Sequence, residues 1–177
     1  MTIVVKKYSS LDLEPTVAVL ASAFVASPLH IAAFGHDRFD RNRLFFRTGL
    51  RHMFNGHAFV ALTSDQIQGY IHFSRSPYCL PAPEEIPRTM GSLLKPLGEA
   101  KGRVIQWFAR WCHGDPDEPH IHLGPLGVAP EMQRRGVGTA LMSRYIERLQ
   151  QEKITGYLET DRAENVSFYE KFGFVVT

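Results

Sequence analysis

Apolar residues along the chain follow two spacings, one typical of helices and one typical of strands. Apolar positions three or four residues apart predict helices, which fall at residues 13–27, 40–54, 136–150 and 163–171. Short apolar or β-branched runs predict strands at residues 3–8, 58–62, 67–73, 120–128 and 155–160, with a last strand beginning at residue 174. A hairpin followed by strand–helix–strand order predicts an α/β fold with a mixed sheet, in which the strand–helix–strand unit pairs in parallel.

Residues 74–118 separate the predicted hairpin from the next strand. The segment is Pro-rich at first and then has a helical pattern, with apolar positions at Leu93, Leu94, Leu97, Val104, Phe108 and Trp111. We predict a helical insertion over one end of the sheet, within a single domain that spans residues 1–177. Trp107, Phe108 and Trp111 have two interpretations, packing of that helix on the sheet or an aromatic wall of a substrate pocket, because such insertions often carry specificity.

Composition narrows the class of protein. A chain of 177 residues with 44% hydrophobic and 21% charged residues is typical of one globular domain and excludes disordered, collagen-like and coiled-coil proteins. The net charge of +2 is too small to indicate a nucleic-acid partner. Two cysteines make no disulfide scaffold, and residues 1–10 contain no apolar signal segment. We therefore expect a cytoplasmic protein with no membrane partner.

A glycine-containing turn lies where the strand at 120–128 leads into the helix at 136–150. Gly136 and Gly138 allow the backbone to approach a ligand closely, and Arg134 and Arg135 add positive charge. The first turn of a helix offers unpaired N–H groups, so this segment is suited to a phosphate or pyrophosphate. The alternative is an ordinary helix start that contains glycine. It is not a P-loop, because no Lys-Ser/Thr pair follows Gly138.

Two segments resemble the signatures of the GNAT superfamily of N-acetyltransferases. Gln133-x-x-Gly136-x-Gly138, after Leu126-Gly127-Val128, is similar to the acyl-CoA-binding motif of that superfamily. Leu158-Glu159-Thr160, followed by Asn165 and by Phe168-Tyr169-Glu170-Lys171-Phe172-Gly173-Phe174, is similar to its second signature. The resemblance covers about the last third of the chain, and residues 158–177 most resemble puromycin-type and related small-molecule acetyltransferases.

The resemblance implies a central twisted, mixed sheet flanked by helices, with a splayed pair of parallel strands that forms the cleft for acetyl-CoA, the co-substrate. Backbone groups of one loop would hold the pyrophosphate: Gln133, Arg134, Arg135, Gly136, Val137, Gly138 and Thr139. Leu126, Gly127 and Val128 would pair with the pantetheine arm, and Asn165 would hydrogen-bond the arm or its water. Tyr169 would be the general acid near the sulfur, the alternative being a core aromatic like its neighbours.

The catalytic base has two candidates. His122 lies eleven residues before Gln133, at the position where the histone acetyltransferase branch carries a catalytic glutamate, so we expect a base or proton relay there. The alternative is a histidine that packs at the sheet edge. Glu159 is the second candidate, its alternative being a structural partner for a backbone N–H.

A metal site is considered and not expected. His120 and His122 share a strand face and could hold one ion, with Cys112, His113, Asp115 and Asp117 nearby. No further ligand pair has a standard metal-binding spacing, and the resemblance implies no metal.

The resemblance implies direct transfer of an acetyl group from acetyl-CoA to a primary amine of a small molecule. Two alternatives remain: an acyl-CoA-binding sensor or interaction module without turnover, and a protein or peptide N-acetyltransferase with an open acidic groove. Members of the superfamily usually continue past the position of Thr177 with a loop and a strand. We therefore expect either a truncated product or a homodimer in which a partner completes the sheet.

Overall fold

The computed structural model describes residues 1–79 and 95–177. These residues form one mixed sheet with helices on both faces. In chain order the elements are β1 (Val4–Lys7), α1 (Leu13–Phe24), α2 (Pro28–Phe34), α3 (Phe39–His52), β2 (His57–Thr63), β3 (Gln66–Arg75), α4 (Ala100–Gly114), β4 (His120–Val128), α5 (Val137–Glu152), β5 (Thr155–Tyr157) and α6 (Val166–Glu170). Leu93, Leu94 and most of the Pro-rich stretch lie outside the described residues.

The sheet has the order β1-β2-β3-β4-β5, and all neighbours are antiparallel except the parallel pair β4 and β5. This confirms the predicted α/β class and mixed sheet. Two strand predictions are wrong. Pairing of the strand predicted at 155–160 stops at Tyr157. Within the described chain, residues 174–177 belong to no strand, because their backbone finds no ladder partner and Val175 and Val176 face solvent.

Helix α2 is an element that periodicity did not predict. Pro28 ends the apolar pattern of α1 but also begins α2, where the fixed φ of proline suits the first helical position. Ser27 caps this helix by accepting a hydrogen bond from the His30 backbone N–H at 3.4 Å. With seven residues, α2 is too short to show a helical repeat.

Two apolar clusters cover the two faces of the sheet. One joins α1, α2, α3 and α4, with Phe45, Phe46 and Trp107 at its centre. The other packs α5 on the strands through Leu141 and Tyr145. Gly127 lets α1 approach β4, since a Cβ there would lie 2.6 Å from Cδ2 of Leu20.

Across the described ranges, no single helix has the length and hydropathy that a membrane span requires. Only a pair of consecutive segments meets those requirements together, Ser10–Phe24 with Pro28–Phe34, and the chain bends by 100° between them.

Candidate active site

The two parallel strands separate soon after they pair. β4 and β5 are hydrogen-bonded partners only from His120 opposite Thr155 to His122 opposite Tyr157. Beyond that point Leu126, Gly127 and Val128 continue to pair with β3 on the other edge of β4. In the described chain, the edge of β4 that faces away from β3 is therefore unpaired. Such an edge offers backbone groups to an extended ligand.

A cavity of about 250 Å³ lies at this gap. Five residues that the sequence singled out are on its wall: Leu126, His122, Glu159, Asn165 and Tyr169. They come from β4, from the chain after β5 and from α6, which are distant in sequence. The rest of the wall is mostly apolar and includes aromatic rings from α1, α3, the chain just after α3, and α4: Phe24, Phe45, Phe46, Phe54, Trp107, Phe108 and Trp111. Packing of α4 is expected on the sheet, whereas its aromatic residues pack on α3, with Trp107 stacked on Phe45. They also line the cavity.

His122 lies between two carboxylates. Its Nε2 is 2.9 Å from Oε2 of Glu159, and its Nδ1 is 2.9 Å from Oδ1 of Asp115. Burial alone would lower the pKa of His122, but the hydrogen bond and charge of Glu159, together with Asp115, outweigh burial and raise that pKa above its ordinary value. Tyr157 donates its hydroxyl to Oε1 of Glu159 at 3.1 Å. Both candidate bases therefore belong to one hydrogen-bonded chain.

Tyr169, from α6, also lines this cavity. Its ring packs against Phe168, with centroids 5.3 Å apart, and against Phe174 at 6.3 Å. Burial, and to a lesser extent the charge of Asp161, raise the pKa of Tyr169 to about 12. The phenol therefore keeps its proton at neutral pH. Phe168, Phe172 and Phe174 pack against the core as the sequence predicts.

Asn165 begins α6 at the cavity wall. Its Nδ2 donates to Oγ1 of Thr160 at 3.2 Å, so the amide is oriented by the chain that follows β5. The adjacent Asp161 was not identified from the sequence. Its carboxylate accepts from Ser27 Oγ and from the Leu29 backbone N–H at 2.9 Å, which ties the start of α2 to this wall.

His30 is a second cavity residue that sequence reasoning missed. It is buried among aromatic rings, stacked on Phe46 and edge-on to Trp107. Burial lowers the pKa of His30 to about 4, against the opposing effects of the Asn42 side chain and of Asp161. The sequence contains no indication of His30, because it belongs to the short helix α2, whose seven residues show no helical periodicity.

The glycine turn lies past the end of β4, beyond the wall of the cavity. Residues 133–136 are exposed and lead directly into α5. Arg134 and Gly136 have positive φ angles of 58° and 87°, which turn the chain sharply before the helix. Gln133 Nε2 donates to the Val128 carbonyl at 3.3 Å. The first turn of α5, Val137, Gly138 and Thr139, follows with its unpaired N–H groups and positive dipole end; the Val137 side chain is buried and Thr139 is exposed.

Packing also favours glycine at position 138, in addition to the predicted contact with a ligand. A Cβ at this position would lie 3.3 Å from Cζ of Phe168, which is shorter than most van der Waals contacts of a Cβ. The absence of a side chain therefore lets α6 lie close to the start of α5. The two motifs that the sequence contains are in direct contact here.

The site has the features that an extended thioester with a pyrophosphate group requires. The unpaired edge at Leu126–Val128 suits a chain of amide groups, and the exposed turn with Arg134 and Arg135 suits the anion. These two features are consecutive along β4 and into α5. The cavity at the other end of the edge is positioned for the reacting group.

Comparisons with known proteins agree with this geometry. The sequence pattern of the "Acetyltransferase (GNAT) family" matches residues 26–174. Three solved structures share the fold. One, of the histone acetyltransferase HPA2 and related acetyltransferase from Corynebacterium glutamicum, is 23% identical, with TM-score 0.71 over 99% of this chain and 86% of that one.

The second is arylalkylamine N-acetyltransferase 2 from Aedes aegypti, at 14% identity and TM-score 0.71 over 100% of this chain and 84% of the other. The third is a GNAT family acetyltransferase from Brucella melitensis in complex with acetyl-CoA, at 18% identity and TM-score 0.56 over 99% and 84% of the two chains. The chain belongs to the GNAT family of acetyltransferases, whose acetyl donor is acetyl-CoA.

Proposed function

We propose that this protein transfers the acetyl group of acetyl-CoA directly to the primary amine of a small molecule with an apolar body. The observation that carries the proposal is the cavity where β4 and β5 separate. It combines a mostly apolar wall that includes aromatic rings with Glu159, His122 and Tyr169, at the end of the edge of β4 that has no strand partner in the described chain. A cavity of about 250 Å³ with such a wall suits a small amine better than a peptide tail, which needs an open groove.

The donor would lie along β4 and across the glycine turn. Leu126, Gly127 and Val128 would pair with the pantetheine arm through backbone groups. The turn at 133–136 and the first N–H groups of α5, with Arg134 and Arg135, would bind the pyrophosphate. Asn165, held by Thr160, would hydrogen-bond the arm near the cavity.

His122 and Glu159 would take up the proton of the amine. An alkyl ammonium group has a pKa of about 10 and must lose a proton before its nitrogen can attack. That first proton passes to the Glu159–His122 pair and from there to solvent. As the new N–C bond forms and the C–S bond breaks, the attacking nitrogen loses a second proton to the same pair. A backbone N–H near Val128 would stabilise the oxyanion of the tetrahedral species.

Tyr169 would assist the leaving group. Its phenol donates a hydrogen bond, and then its proton, to the sulfur as negative charge develops there. Burial raises the pKa of Tyr169 to about 12, so the phenol holds its proton at neutral pH and can donate it as the thiolate forms. Solvent then returns a proton to the phenolate.

The cavity wall indicates which amines fit. Phe45, Trp107 and Trp111 present ring faces and edges, while the carboxylate of Glu159 can attract an ammonium group. We therefore expect amines that carry an aromatic or branched aliphatic group. The likeness in fold to an arylalkylamine N-acetyltransferase is in keeping with this substrate class.

The test is release of the CoA thiol from acetyl-CoA in the presence of different amines. The panel would compare 2-phenylethylamine and tryptamine with spermidine and with a lysine-containing peptide. We expect the aromatic amines to have the highest kcat/KM. A preference for the peptide would overturn the small-molecule assignment. Binding of acetyl-CoA without turnover of any amine would instead indicate a sensor or interaction domain.

A further inference from the structure

A second group of polar side chains lies behind His122, on the side away from Glu159. Sγ of Cys79 is 3.2 Å from Oδ2 of Asp115 and 3.7 Å from Nε2 of His120. Nε2 of His120 is 3.2 Å from Oδ1 of Asp115, and Nδ1 of His122 is 2.9 Å from the same oxygen. One potential ligand atom from each of the four residues lies within 4.8 Å of every other.

The hydrogen bonds around the two histidines fix the position of one proton on each ring. Nδ1 of His120 is 2.8 Å from the Glu118 carbonyl, which only accepts, so Nδ1 carries a proton. Nε2 of His122 faces the Glu159 carboxylate and carries one for the same reason. On neutral rings the remaining nitrogens then direct lone pairs at Asp115, which is itself an acceptor. A cation placed between them would receive both lone pairs and the carboxylate oxygen.

The two rings are buried close together. His120 is 1% exposed and His122 is 8% exposed, and their ring centroids are 6.0 Å apart. Buried polar atoms need a partner. One metal ion satisfies both nitrogens and the carboxylate together.

We infer that Cys79, Asp115, His120 and His122 form a binding site for one zinc-class divalent ion. Tetrahedral zinc with bonds of about 2.0–2.3 Å places its ligand atoms roughly 3.3–3.7 Å apart. Sγ of Cys79 is 3.7 Å from Nε2 of His120, and Asp115 lies 3.2 Å from each of them, through Oδ2 to Cys79 and through Oδ1 to His120. Three of the four residues are therefore near that spacing, and small side-chain rotations would bring one oxygen to the ion. A set of one sulfur, two imidazole nitrogens and one carboxylate suits zinc better than magnesium or calcium.

The surroundings of the site support the same assignment. Histidine ligands of metals usually donate their other N–H to a carbonyl or a carboxylate, and here Glu118 and Glu159 accept those bonds. Cys79 and His122 also lie on the wall of the cavity, which gives an ion a route in from solvent. Sequence spacing alone missed the site because Cys79 and Asp115 are 36 positions apart.

His122 would then take part in both the proposed metal site and the proposed catalytic pair. A metal would bind its Nδ1, while its Nε2 keeps the proton that it donates to Glu159. The ion would therefore compete with the proton-accepting role of His122 in the proposed acetyl transfer. Metal binding itself does not depend on that role and is measured without any acyl donor or amine.

The experiment titrates the reduced, metal-free full chain with Zn²⁺ in competition with a chromogenic chelator, and with Co²⁺ followed by absorption spectroscopy. We expect one ion per chain and a thiolate-to-cobalt charge-transfer band. Cys79→Ser should abolish that band, and Cys79→Ser and His120→Gln should each weaken Zn²⁺ binding at least tenfold. The matched controls are Cys112→Ser and His113→Gln in α4. They should leave both the charge-transfer band and the affinity for Zn²⁺ unchanged.

A measurement on the unaltered chain covers the case in which a variant fails to fold. Zn²⁺ should slow alkylation of Cys79 by iodoacetamide, read by peptide mass spectrometry, and leave the rate at Cys112 unchanged. The inference is overturned if Zn²⁺ does not bind with one-to-one stoichiometry. It is also overturned if the Cys79→Ser and Cys112→Ser variants bind Zn²⁺ with equal affinity. The same holds if Zn²⁺ does not change the rate of alkylation of Cys79.

Discussion

Nε2 of His122 lies 2.9 Å from Oε2 of Glu159, although the two residues are 37 positions apart. They come from β4 and from the chain just after β5, at the point where the strands separate. This contact joins the two candidate bases in one hydrogen bond. In the proposed reaction they would therefore accept the proton as a pair.

The first prediction concerns that pair. Glu159→Gln keeps a hydrogen-bonding side chain but removes the negative charge that holds the proton on His122. We expect kcat for acetyl transfer to fall by about 10²–10⁴-fold, the usual contribution of general base catalysis. Acetyl-CoA binding, followed as a rise in melting temperature, should persist. Glu147→Gln, which alters an exposed carboxylate on α5, serves as the control and should leave kcat unchanged.

Tyr169→Phe tests the leaving-group role. The ring keeps its packing against Phe168 and Phe174, so stability should change little. Without the hydroxyl, kcat should decrease by about 10²–10⁴-fold, while KM for acetyl-CoA stays within a factor of a few. Tyr78→Phe, at an exposed tyrosine, is the matched control. Full activity of the Tyr169 variant in steady-state assays would show that the phenol is a packing residue only.

Acetyl-CoA should stabilise the protein against heat. At a hundredfold excess over Kd, a ligand specific to the native state adds about 2.7 kcal/mol to the free energy of unfolding. For a chain of this size that corresponds to a rise in Tm of roughly 5–10 °C. Replacing Arg134 and Arg135 by Ala should shrink the rise, and more so at low salt, because these exposed cations act through screened attraction to the pyrophosphate. The control is Arg110→Ala, which replaces an exposed arginine of α4 and should leave the rise in Tm unchanged.

Gly127→Ala should destabilise the fold. The added methyl group would lie 2.6 Å from Cδ2 of Leu20 and 3.1 Å from Phe24, so α1 must shift away from β4. We expect the free energy of unfolding to fall by about 1–3 kcal/mol, as is usual for overpacking. Gly102→Ala is a matched control, because a Cβ there meets nothing within 4 Å inside helix α4. That variant should be neutral or stabilising by up to about 1 kcal/mol in urea denaturation.

His30 should make the protein sensitive to acid. Its pKa is about 4 in the folded state and about 6.5 when unfolded. Above pH 6.5 the residue is neutral in both states, so its contribution to stability is fully present there. As the pH falls towards 4, the unfolded chain takes up a proton that the folded chain does not, and the free energy of unfolding drops by up to about 3 kcal/mol.

His30→Gln should flatten this part of the stability curve, measured by urea denaturation between pH 4 and 7. The control is His36→Gln, which replaces an exposed histidine just after α2. This variant should keep the slope of stability against pH that the unaltered protein shows. An unchanged slope in the His30 variant would mean that other groups account for the acid sensitivity.

The sequence determined the features that depend on neighbours along the chain. The periodicity of Leu13, Val17, Leu20 and Phe24 is realised in α1, and the apolar run at 120–128 is β4 itself. The hairpin around residues 63–66 and the start of α5 after Gly136 also follow local rules, because turn chemistry and helix caps are set within a few residues. The two family signatures identified the family for the same reason, since each is a short continuous motif.

Tertiary structure decided the contacts that join distant segments. Only the fold shows that pairing of β4 and β5 ends at His122, which opens the cleft and makes the strand predicted at 155–160 shorter. It alone brings Cys79 to His120, through the pairing of the end of β3 with the start of β4, and Asp161 to Ser27, through the packing of the first helices beside the end of β5. Sequence reasoning could therefore name His122, Glu159 and Tyr169 separately. The packing of three distant segments determines that they face one cavity.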